Sequence, residues 1–396
     1  MLAILAPGQG SQKPGFLTPW LDLDGAEARL RWWSAAVGID LVHLGTEADA
    51  DEIRDTARTQ PLLVAAGLIA AERLPLYDVP LVAGHSIGEV TAAAVAGALS
   101  PESAMVFAAV RGREMAAACA LDSTGMSAML GGESDEVVVA GIEAAGLTPA
   151  NRNGAGQIVA AGALSDLEKL AAERPGGARV RALQVAGAFH TPYMASAEQA
   201  LERLAGGIRA VDPARLLLSN ADGAAVATGA ELVRRLVRQV TSPVRWDLCM
   251  ATLADLGVTA VLELPPAGVL SGLVKRQLRG DSAPEIVTVN TPDDLPAARD
   301  LIARHGGPAR PHRSTEPRVG FRVSVAPAAG SFHRAELTEG AVVKARQVIG
   351  QVVARQTTTD VVANTDGILV EWLSDEEDPV APGQPLARFA QTGEDA

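Results

Sequence analysis

The segment 84–89, Gly-His-Ser-Ile-Gly-Glu, constrains the fold of this chain more than any other. It follows the apolar, strand-like residues 80–83 and precedes an alanine-rich segment, 90–99, with a helical pattern. Glycines on both sides of a serine allow a sharp, strained turn from strand to helix, and such a turn exposes the serine hydroxyl. The pattern therefore predicts a strand–turn–helix unit and nominates Ser86 as a covalent nucleophile.

Composition narrows the class of protein. With 396 residues the chain has room for two or three domains, and 48% hydrophobic against 20% charged residues indicates a globular protein. A net charge of −13 argues against nucleic acid as a partner. No apolar stretch approaches the ~20 residues that cross a bilayer, and the N-terminus lacks a charged leader, so we expect a cytoplasmic protein without membrane contact. Cys119 and Cys249 stand in apolar surroundings and predict neither a disulfide framework nor a metal site.

The order of patterns divides the chain. Short apolar runs (2–6, 79–83) alternate with helical patterns (61–74, 101–119), which predicts an α/β core built on a parallel sheet. A strand–helix–strand–helix–strand pattern then indicates a small inserted subdomain, and a Pro-, Gly- and Arg-rich linker precedes short β-patterned runs. The predicted units are a core (1–122 and 189–300), the inserted subdomain (123–188), the linker (301–319) and an all-β module (320–391).

A serine hydroxyl is a poor nucleophile at neutral pH and needs a base, normally a histidine within hydrogen-bond reach. Six histidines are present. The candidate base is His190, in the segment Gly-Ala-Phe-His-Thr-Pro-Tyr-Met (187–194). We expect His85 to point across the turn, and the other four histidines are set aside. Taken alone, a histidine close to a proline is more often a structural loop residue than a catalytic base. The histidines that are set aside are His43, isolated in an apolar patch, and His305, His312 and His333 in or beside the linker.

Several further segments occur together in a fixed order. They are Ala-Pro-Gly-Gln-Gly-Ser-Gln (6–12), Thr-Gln-Pro (59–61), the serine turn, Arg-Gly-Arg-Glu-Met (111–115), Asn-Arg-Asn (151–153) through Gln157, Ala-Phe-His-Thr-Pro (188–192) and Gln-Val-Thr-Ser-Pro-Val-Arg-Trp (239–246). With these segments, residues 1–290 resemble malonyl-CoA:acyl carrier protein transacylases. The resemblance implies an α/β-hydrolase-like core with a ferredoxin-like subdomain inserted between nucleophile and base.

The resemblance also implies a reaction. A malonyl group would pass from coenzyme A to Ser86 as an ester and then to the phosphopantetheine thiol of an acyl carrier protein, for fatty acid or polyketide synthesis. His190 would be the base, oriented by a backbone carbonyl of the Gln239 segment, with no bound metal or cofactor. The backbone N–H groups of Gln9 and Ile87 would form an oxyanion hole, in which each donor contributes about 3 kcal/mol.

Arg111 is the residue that indicates the substrate class. A guanidinium can bind the free carboxylate of a malonyl group with two hydrogen bonds, whereas a monocarboxylic acyl chain would leave this cation unpaired. Phe189, directly before His190, resembles the malonyl-selective pattern in which a bulky ring leaves little room for an α-methyl branch. Gln60 and Met115 belong to the shared motifs and are assigned to the pocket with Gln239.

Acyl carrier proteins are usually acidic, and this chain is acidic too, so docking requires a local positive patch. The predicted patch consists of Lys275, Arg276 and Arg279, with Arg234 and Arg235 nearby. The alternative is a solvated helix end without a docking role.

Residues 340–391 resemble the biotinyl/lipoyl carrier fold, which carries a modified lysine at a hairpin tip. The corresponding segment here, 355–360, contains no lysine, and Lys344 comes too early, so we expect no prosthetic group. Dimerisation, partner docking and a stabilising role all remain open for this module. For the whole chain, two alternatives to the transferase remain: an acyl thioesterase that uses the same serine, and a non-catalytic scaffold.

Overall fold

The computed structural model describes residues 1–280, 283–307, 321–355 and 357–391. Most of the predicted linker (308–319) and Gln356 of the C-terminal module fall outside these ranges. Among the residues described, no helix combines the length and the apolar character needed to span a membrane.

Strands and helices alternate over the first part of the chain, as predicted. The elements are β1 (Leu2–Ala6), α1 (Ala26–Val37), α2 (Leu41–Thr46), α3 (Thr56–Ala71), β2 (Leu81–Gly84), α4 (Gly88–Val95) and α5 (Pro101–Cys119). The bounds of α5 agree with the prediction because Ser100 caps the helix, its side chain accepting from the N–H of Ser103, and Pro101 occupies the first helical position. Helix α3 begins earlier than predicted because the Asp55 side chain caps it through the N–H of Ala57.

The inserted segment contains one strand more than the sequence pattern predicts. Its elements are β3 (Thr124–Leu130), α6 (Asp135–Ala144), β4 (Thr148–Gly154), β5 (Gln157–Ala163), α7 (Leu164–Glu173) and β6 (Arg179–Ala182). The missed strand β4 reads Thr-Pro-Ala-Asn-Arg-Asn-Gly, a composition typical of turns. It is extended because it pairs with β5 on one side and with a later strand, Val244–Arg245, on the other.

The chain then returns to the first sheet. Its elements are α8 (Ala195–Ala205), β7 (Leu216–Leu218), α9 (Gly229–Arg238), β8 (Val244–Arg245), α10 (Trp246–Asp255), β9 (Ala260–Glu263), α11 (Val269–Gln277), β10 (Glu285–Thr288) and α12 (Leu295–His305). Helix α12 continues through residues 301–305, which the sequence pattern assigned to the linker.

Two five-stranded sheets organise this part of the molecule. The first has the order β10-β9-β1-β2-β7 with all neighbours parallel, and its strands β1 and β2 are buried along their whole length. The second has the order β6-β3-β5-β4-β8. In parallel sheets the loops after the carboxyl ends of the strands meet at one edge, and here β1, β2 and β7 lead into residues 8–10, Ser86 and Asn220.

The C-terminal residues form two antiparallel four-stranded sheets. The strands are β11 (Phe321–Val325), β12 (Gly330–Arg334), β13 (Val342–Val343), β14 (Val348–Ala354), β15 (Thr357–Val362), β16 (Gly367–Trp372), β17 (Pro379–Val380) and β18 (Pro385–Gln391). The sheet orders are β11-β18-β16-β13 and β15-β14-β12-β17. Phe332, Ile349, Leu369 and Phe389 belong to one buried cluster of this module.

This C-terminal module packs directly against the helices of the first part. Phe321, Val370 and Ala390 belong to the same buried apolar cluster as residues of α1, α5 and α8. Glu371 of β16, with its side chain only 3% exposed, pairs with Arg113 of α5 and lies 2.7 Å from Nη1 of the fully buried Arg388. The contact therefore joins apolar packing to a cluster of the buried Glu371 carboxylate, the buried Arg388 guanidinium and the partly exposed guanidinium of Arg113.

Candidate active site

Ser86 occupies the turn between β2 and α4 that the motif predicts. Its φ is +53°, in the left-handed region that non-glycine residues rarely adopt. The flanking glycines are required by close packing, since a Cβ on Gly84 would overlap the carbonyl of Gly88, and one on Gly88 would overlap that of Ala6. The turn is held by a hydrogen bond of 2.8 Å from the Ser86 backbone N–H to Oδ1 of Asn220. The local sequence therefore forces the serine out of the helix.

His190 lies beside the serine hydroxyl. The distance from Ser86 Oγ to His190 Nε2 is 2.8 Å, and His190 Nδ1 lies 2.8 Å from the backbone carbonyl oxygen of Gln239. Because a carbonyl can only accept, Nδ1 carries the proton and Nε2 of the neutral ring is free to accept from Ser86. Burial, followed by the positive charge of Arg111, lowers the pKa of His190 to about 3, so the ring is neutral at pH 7.

Arg111 lies on α5 behind the serine and is 1% exposed. Its Nη1 donates to Oε1 of Gln60 at 2.6 Å, and its Nη2 donates to Oε1 of Gln239 at 2.9 Å and to Ser86 Oγ at 3.2 Å. Its Nε is buried and has no hydrogen-bond partner among the residues described. Burial lowers the pKa of Arg111 to about 9, which leaves the guanidinium charged at neutral pH. No carboxylate of the described chain forms an ion pair with it, so the site holds a buried cation in contact with the Ser86 hydroxyl.

Two polar residues of the site were not identified from the sequence. Asn220, after β7, accepts from the Ser86 N–H and donates through Nδ2 to the carbonyl of Gly84 at 2.7 Å. Glu89, in the first turn of α4, is 1% exposed and accepts from the side-chain amide of Gln239. Burial raises the pKa of Glu89 to about 7, against the effect of its hydrogen bonds. The signal for Asn220 was its position directly beyond a buried parallel strand, where polar residues often serve a site.

A cavity of about 320 Å³ opens onto the serine. Phe189 and His190 line it together with residues of the second sheet and of α11, and Gln9 lines its opposite side. A cleft of about 930 Å³ continues from it between the loop after β1 and the inserted segment, and Lys13, Arg54 and Arg181 lie along this cleft. Ser86 therefore lines a cavity that shares residues of the β1 loop and of the second sheet with a larger cleft.

The remaining predicted site residues take the following positions. Met115 is buried, with its sulfur 3.5 Å from Nε2 of Gln60. Ile87 is buried directly before α4. His85 points away from Ser86, as expected, with Nε2 2.8 Å from Oδ1 of Asn153. Among the residues described, no cluster of three or more His, Cys, Asp or Glu side chains could hold a metal ion.

The cationic residues proposed for docking lie outside the cavity. Lys275 and Arg276 are exposed in the last turn of α11, the helix whose first residues line the cavity. Arg279 is exposed just beyond, and its Nε donates to the backbone carbonyl of Arg276. Arg235, in contrast, pairs with Asp222 and Glu231, so two carboxylates already compensate its charge.

Comparison with known proteins places this site in a family. Residues 5–297 match the acyl transferase domain family. The malonyl CoA-acyl carrier protein transacylase of Mycobacterium tuberculosis (strain H37Rv) is 52% identical over 306 residues, which cover 76% of this chain and 100% of that protein. The corresponding enzyme of Escherichia coli is 31% identical, and the alignment covers 76% of this chain and 99% of that protein.

Solved structures agree with these relatives. The crystal structure of MCAT from Mycobacterium tuberculosis superposes with a TM-score of 0.72 at 52% identity, covering 75% of this chain and 99% of that one. A malonyl-transacylase solved with a type II polyketide synthase acyl carrier protein superposes with a TM-score of 0.70 at 28% identity, covering 76% and 99%. The chain belongs to the malonyl-CoA:acyl carrier protein transacylase family of acyltransferases.

Proposed function

We propose that this protein transfers a malonyl group from coenzyme A to the phosphopantetheine thiol of an acyl carrier protein through an ester on Ser86. One observation carries the proposal: Ser86 Oγ lies 2.8 Å from Nε2 of His190 and 3.2 Å from Nη2 of Arg111. A general base and a fixed cation thus meet at the nucleophilic atom. The base activates the serine, and the cation selects an acyl group that carries its own carboxylate.

The first half-reaction forms the ester. His190 Nε2 takes the proton of Ser86 as Oγ attacks the thioester carbonyl, and the oxyanion accepts from the N–H groups of Gln9 and Ile87. These two N–H groups donate to no acceptor in the described part of the chain. When the intermediate collapses, the C–S bond breaks and the coenzyme A sulfur leaves with the proton from His190. In the second half-reaction His190 deprotonates the carrier thiol, whose sulfur attacks the ester and releases Ser86.

The malonyl carboxylate is bound by Arg111. The guanidinium is oriented by Gln60 and Gln239, and its Nη2 lies 3.2 Å from Ser86 Oγ, the atom to which the acyl group would be attached. Met115 packs beneath Gln60, and Phe189 narrows the cavity next to His190. This arrangement favours malonyl over acetyl by charge and over methylmalonyl by size.

Intact mass measurement after brief mixing with malonyl-, methylmalonyl- and acetyl-CoA tests the reaction. We expect a malonyl adduct that is absent in Ser86→Ala and that discharges onto added carrier thiol. Hydrolysis of the adduct at a rate unaffected by the carrier would instead identify a thioesterase. The absence of any adduct with all three thioesters would support the scaffold alternative.

Lys275, Arg276 and Arg279 form the docking patch for the acidic carrier in this proposal. The supporting feature is their exposure at the end of the helix that lines the cavity. Reversing the charge at Lys275 and Arg276 is expected to raise the carrier KM at low salt and to leave acylation by malonyl-CoA unchanged. The control is Lys344→Glu, which reverses an exposed lysine of the C-terminal module. An unchanged carrier KM in the first variant would remove the patch from the proposal.

The predicted architecture is the second part of the proposal. The parallel sheet supports an α/β-hydrolase-like core over 1–122 and 189–300, and the strand order β6-β3-β5-β4 supports a ferredoxin-like insertion over 123–188. The two four-stranded antiparallel sheets support a lipoyl-like module over 320–391. Strands β14 and β15 pair as an antiparallel hairpin, and the segment 355–360 contains no lysine. Mass spectrometry of the purified protein tests this assignment, which expects neither biotin nor lipoate.

A further inference from the structure

The buried carboxylate of Glu89 has no part in the proposed reaction. It lies in the first turn of α4 with 1% of its surface exposed, and no arginine, lysine or histidine of the described chain forms an ion pair with it. Its oxygens accept from the side-chain amide of Gln239 and, at 3.3 and 3.4 Å, from the backbone N–H of Asn220, and the Ser219 side chain is a further hydrogen-bond partner. Burying a carboxyl group is costly, and a helix turn does not require one. Its hydrogen-bond partners therefore indicate its role.

Glu89 contacts the side-chain amide of Gln239. Nε2 of Gln239 points towards Glu89 and also lies 3.1 Å from Oδ1 of Asn220, an amide oxygen that can only accept a hydrogen bond. The amide oxygen is thereby turned to the opposite side, where it accepts from Nη2 of Arg111 at 2.9 Å. The reversed amide would place an NH₂ group against the guanidinium, donor against donor.

Glu89 influences Arg111 electrostatically as well as through the orientation of the Gln239 amide. Arg111 is buried without a carboxylate in direct contact, and the negative charge of Glu89 is the influence that opposes the lowering of the Arg111 pKa by burial. The path from Glu89 through Gln239 to Arg111 ends at Ser86 Oγ, where the acyl group is attached. The backbone carbonyl of the same Gln239 holds His190.

We propose that Glu89 is a positioning residue for substrate selection, which orients the Gln239 amide and so fixes the Arg111 guanidinium for the substrate carboxylate. This inference rests on the proposed function of Arg111. It distinguishes Glu89 from a residue that only stabilises α4, because a purely structural residue would affect all acyl groups alike.

The variant Glu89→Gln tests it. Glutamine has one accepting oxygen, so its NH₂ group competes with the donors of Gln239 and Asn220, and the Gln239 amide turns its oxygen away from Arg111. We expect kcat/KM for malonyl-CoA to fall about 10- to 100-fold, the effect of losing a hydrogen bond to a charged group. An acetyl group has no carboxylate for the guanidinium to bind, so acetylation of Ser86 should change far less and the malonyl-to-acetyl ratio should fall.

Glu263 provides a matched control. It is fully buried and accepts from the backbone N–H groups of Leu270 and Ser271 at 2.9 and 2.8 Å, but it has no connection to Gln239 or Arg111. The variant Glu263→Gln therefore removes a comparable buried carboxylate. We expect it to lower stability and to leave the malonyl-to-acetyl ratio as in the parent protein.

A double-mutant cycle separates the inference from the proposed function. If Arg111→Ala leaves the ratio unchanged, the proposed role of Arg111 fails, and with it the substrate assignment. If Arg111→Ala abolishes the preference but Glu89→Gln retains it, only the role of Glu89 is overturned. We expect Glu89→Gln to have no further effect on the ratio in the Arg111→Ala background, and an additive effect would contradict the coupling.

A second variant keeps the test informative if Glu89→Gln fails to fold. Glu89→Asp keeps both accepting oxygens but withdraws them by about 1.5 Å, the length of one C–C bond. We expect the malonyl-to-acetyl ratio to fall in Glu89→Asp, as in Glu89→Gln. An unchanged ratio in either variant that folds, as judged by acetylation of Ser86, overturns the proposal.

Discussion

The contact between the C-terminal module and α5 depends on one buried carboxylate, Glu371. Its side chain is 3% exposed and lies between Arg113 of α5 and Arg388, whose side chain is 0% exposed. Burial lowers the pKa of Arg388, and the charge of Glu371 opposes that shift. Replacing Glu371 with leucine keeps the volume similar but leaves the buried Arg388 without its ion-pair partner. Breaking a buried pair in this way costs about 3–5 kcal/mol.

Equilibrium urea unfolding followed by tryptophan fluorescence measures this cost, and Trp372 reports from within the module itself. We expect the free energy of unfolding to fall by about 3–5 kcal/mol in Glu371→Leu. The pair Glu371→Leu/Arg388→Met should recover most of the loss, since removing both buried charges is close to neutral. The control is Glu376→Leu, which removes an exposed carboxylate of the same module that pairs with His333. A loss in Glu371→Leu no larger than in this control, or no recovery in the double variant, would refute the buried cluster.

Three further predictions concern the active site. Asn220→Ala leaves the Ser86 N–H without its acceptor, so single-turnover acylation followed by mass spectrometry should slow about 10- to 100-fold, and an unchanged rate would contradict this role. Because the pKa of His190 is about 3, its ring stays neutral from pH 5 to 8, and titration of His190 should not change the acetylation rate of the native chain over this range. Arg111→Ala removes a positive charge, which raises the His190 pKa, so that acetylation should begin to decline at a higher pH than in the native chain; a shift to lower pH would contradict the sign. Phe189→Ala enlarges the cavity, and methylmalonyl-CoA should gain on malonyl-CoA in competition assays, whereas a larger malonyl preference would contradict the steric argument.

The sequence predicted best what depends on neighbours along the chain. The bounds of α5 follow from Ser100 and Pro101, and the serine turn follows from the two glycines whose missing Cβ atoms leave room for the backbone. Strand β4 was missed for the opposite reason, since its composition favours a turn and its extended form depends on pairing with β5 and β8. Local steric effects and capping can be inferred from sequence, whereas strand pairing with a distant partner overrides local propensity.

The active-site residues likewise fall into those that the sequence nominated and those that only the structure revealed. Motif and chemistry nominated Ser86, His190 and Arg111, because a serine nucleophile needs a base and a dicarboxylic acyl group needs a cation. The sequence did not reveal that one residue, Gln239, holds His190 through its backbone and Arg111 through its side chain. It also gave no role to Glu89, which lies 150 positions from Gln239, or to Asn220, which lies 134 positions from Ser86.

By itself, the amino-acid sequence determined the family, the α/β class and the serine turn, and it shows that the segment 355–360 has no lysine. The tertiary structure alone decided the hydrogen-bond path behind the guanidinium and the docking of the C-terminal module on α5. The physical reason is that a motif specifies residue types and local backbone geometry. The direction in which a buried amide or carboxylate faces is set only when elements distant in the chain pack together and each buried polar group must find its partner.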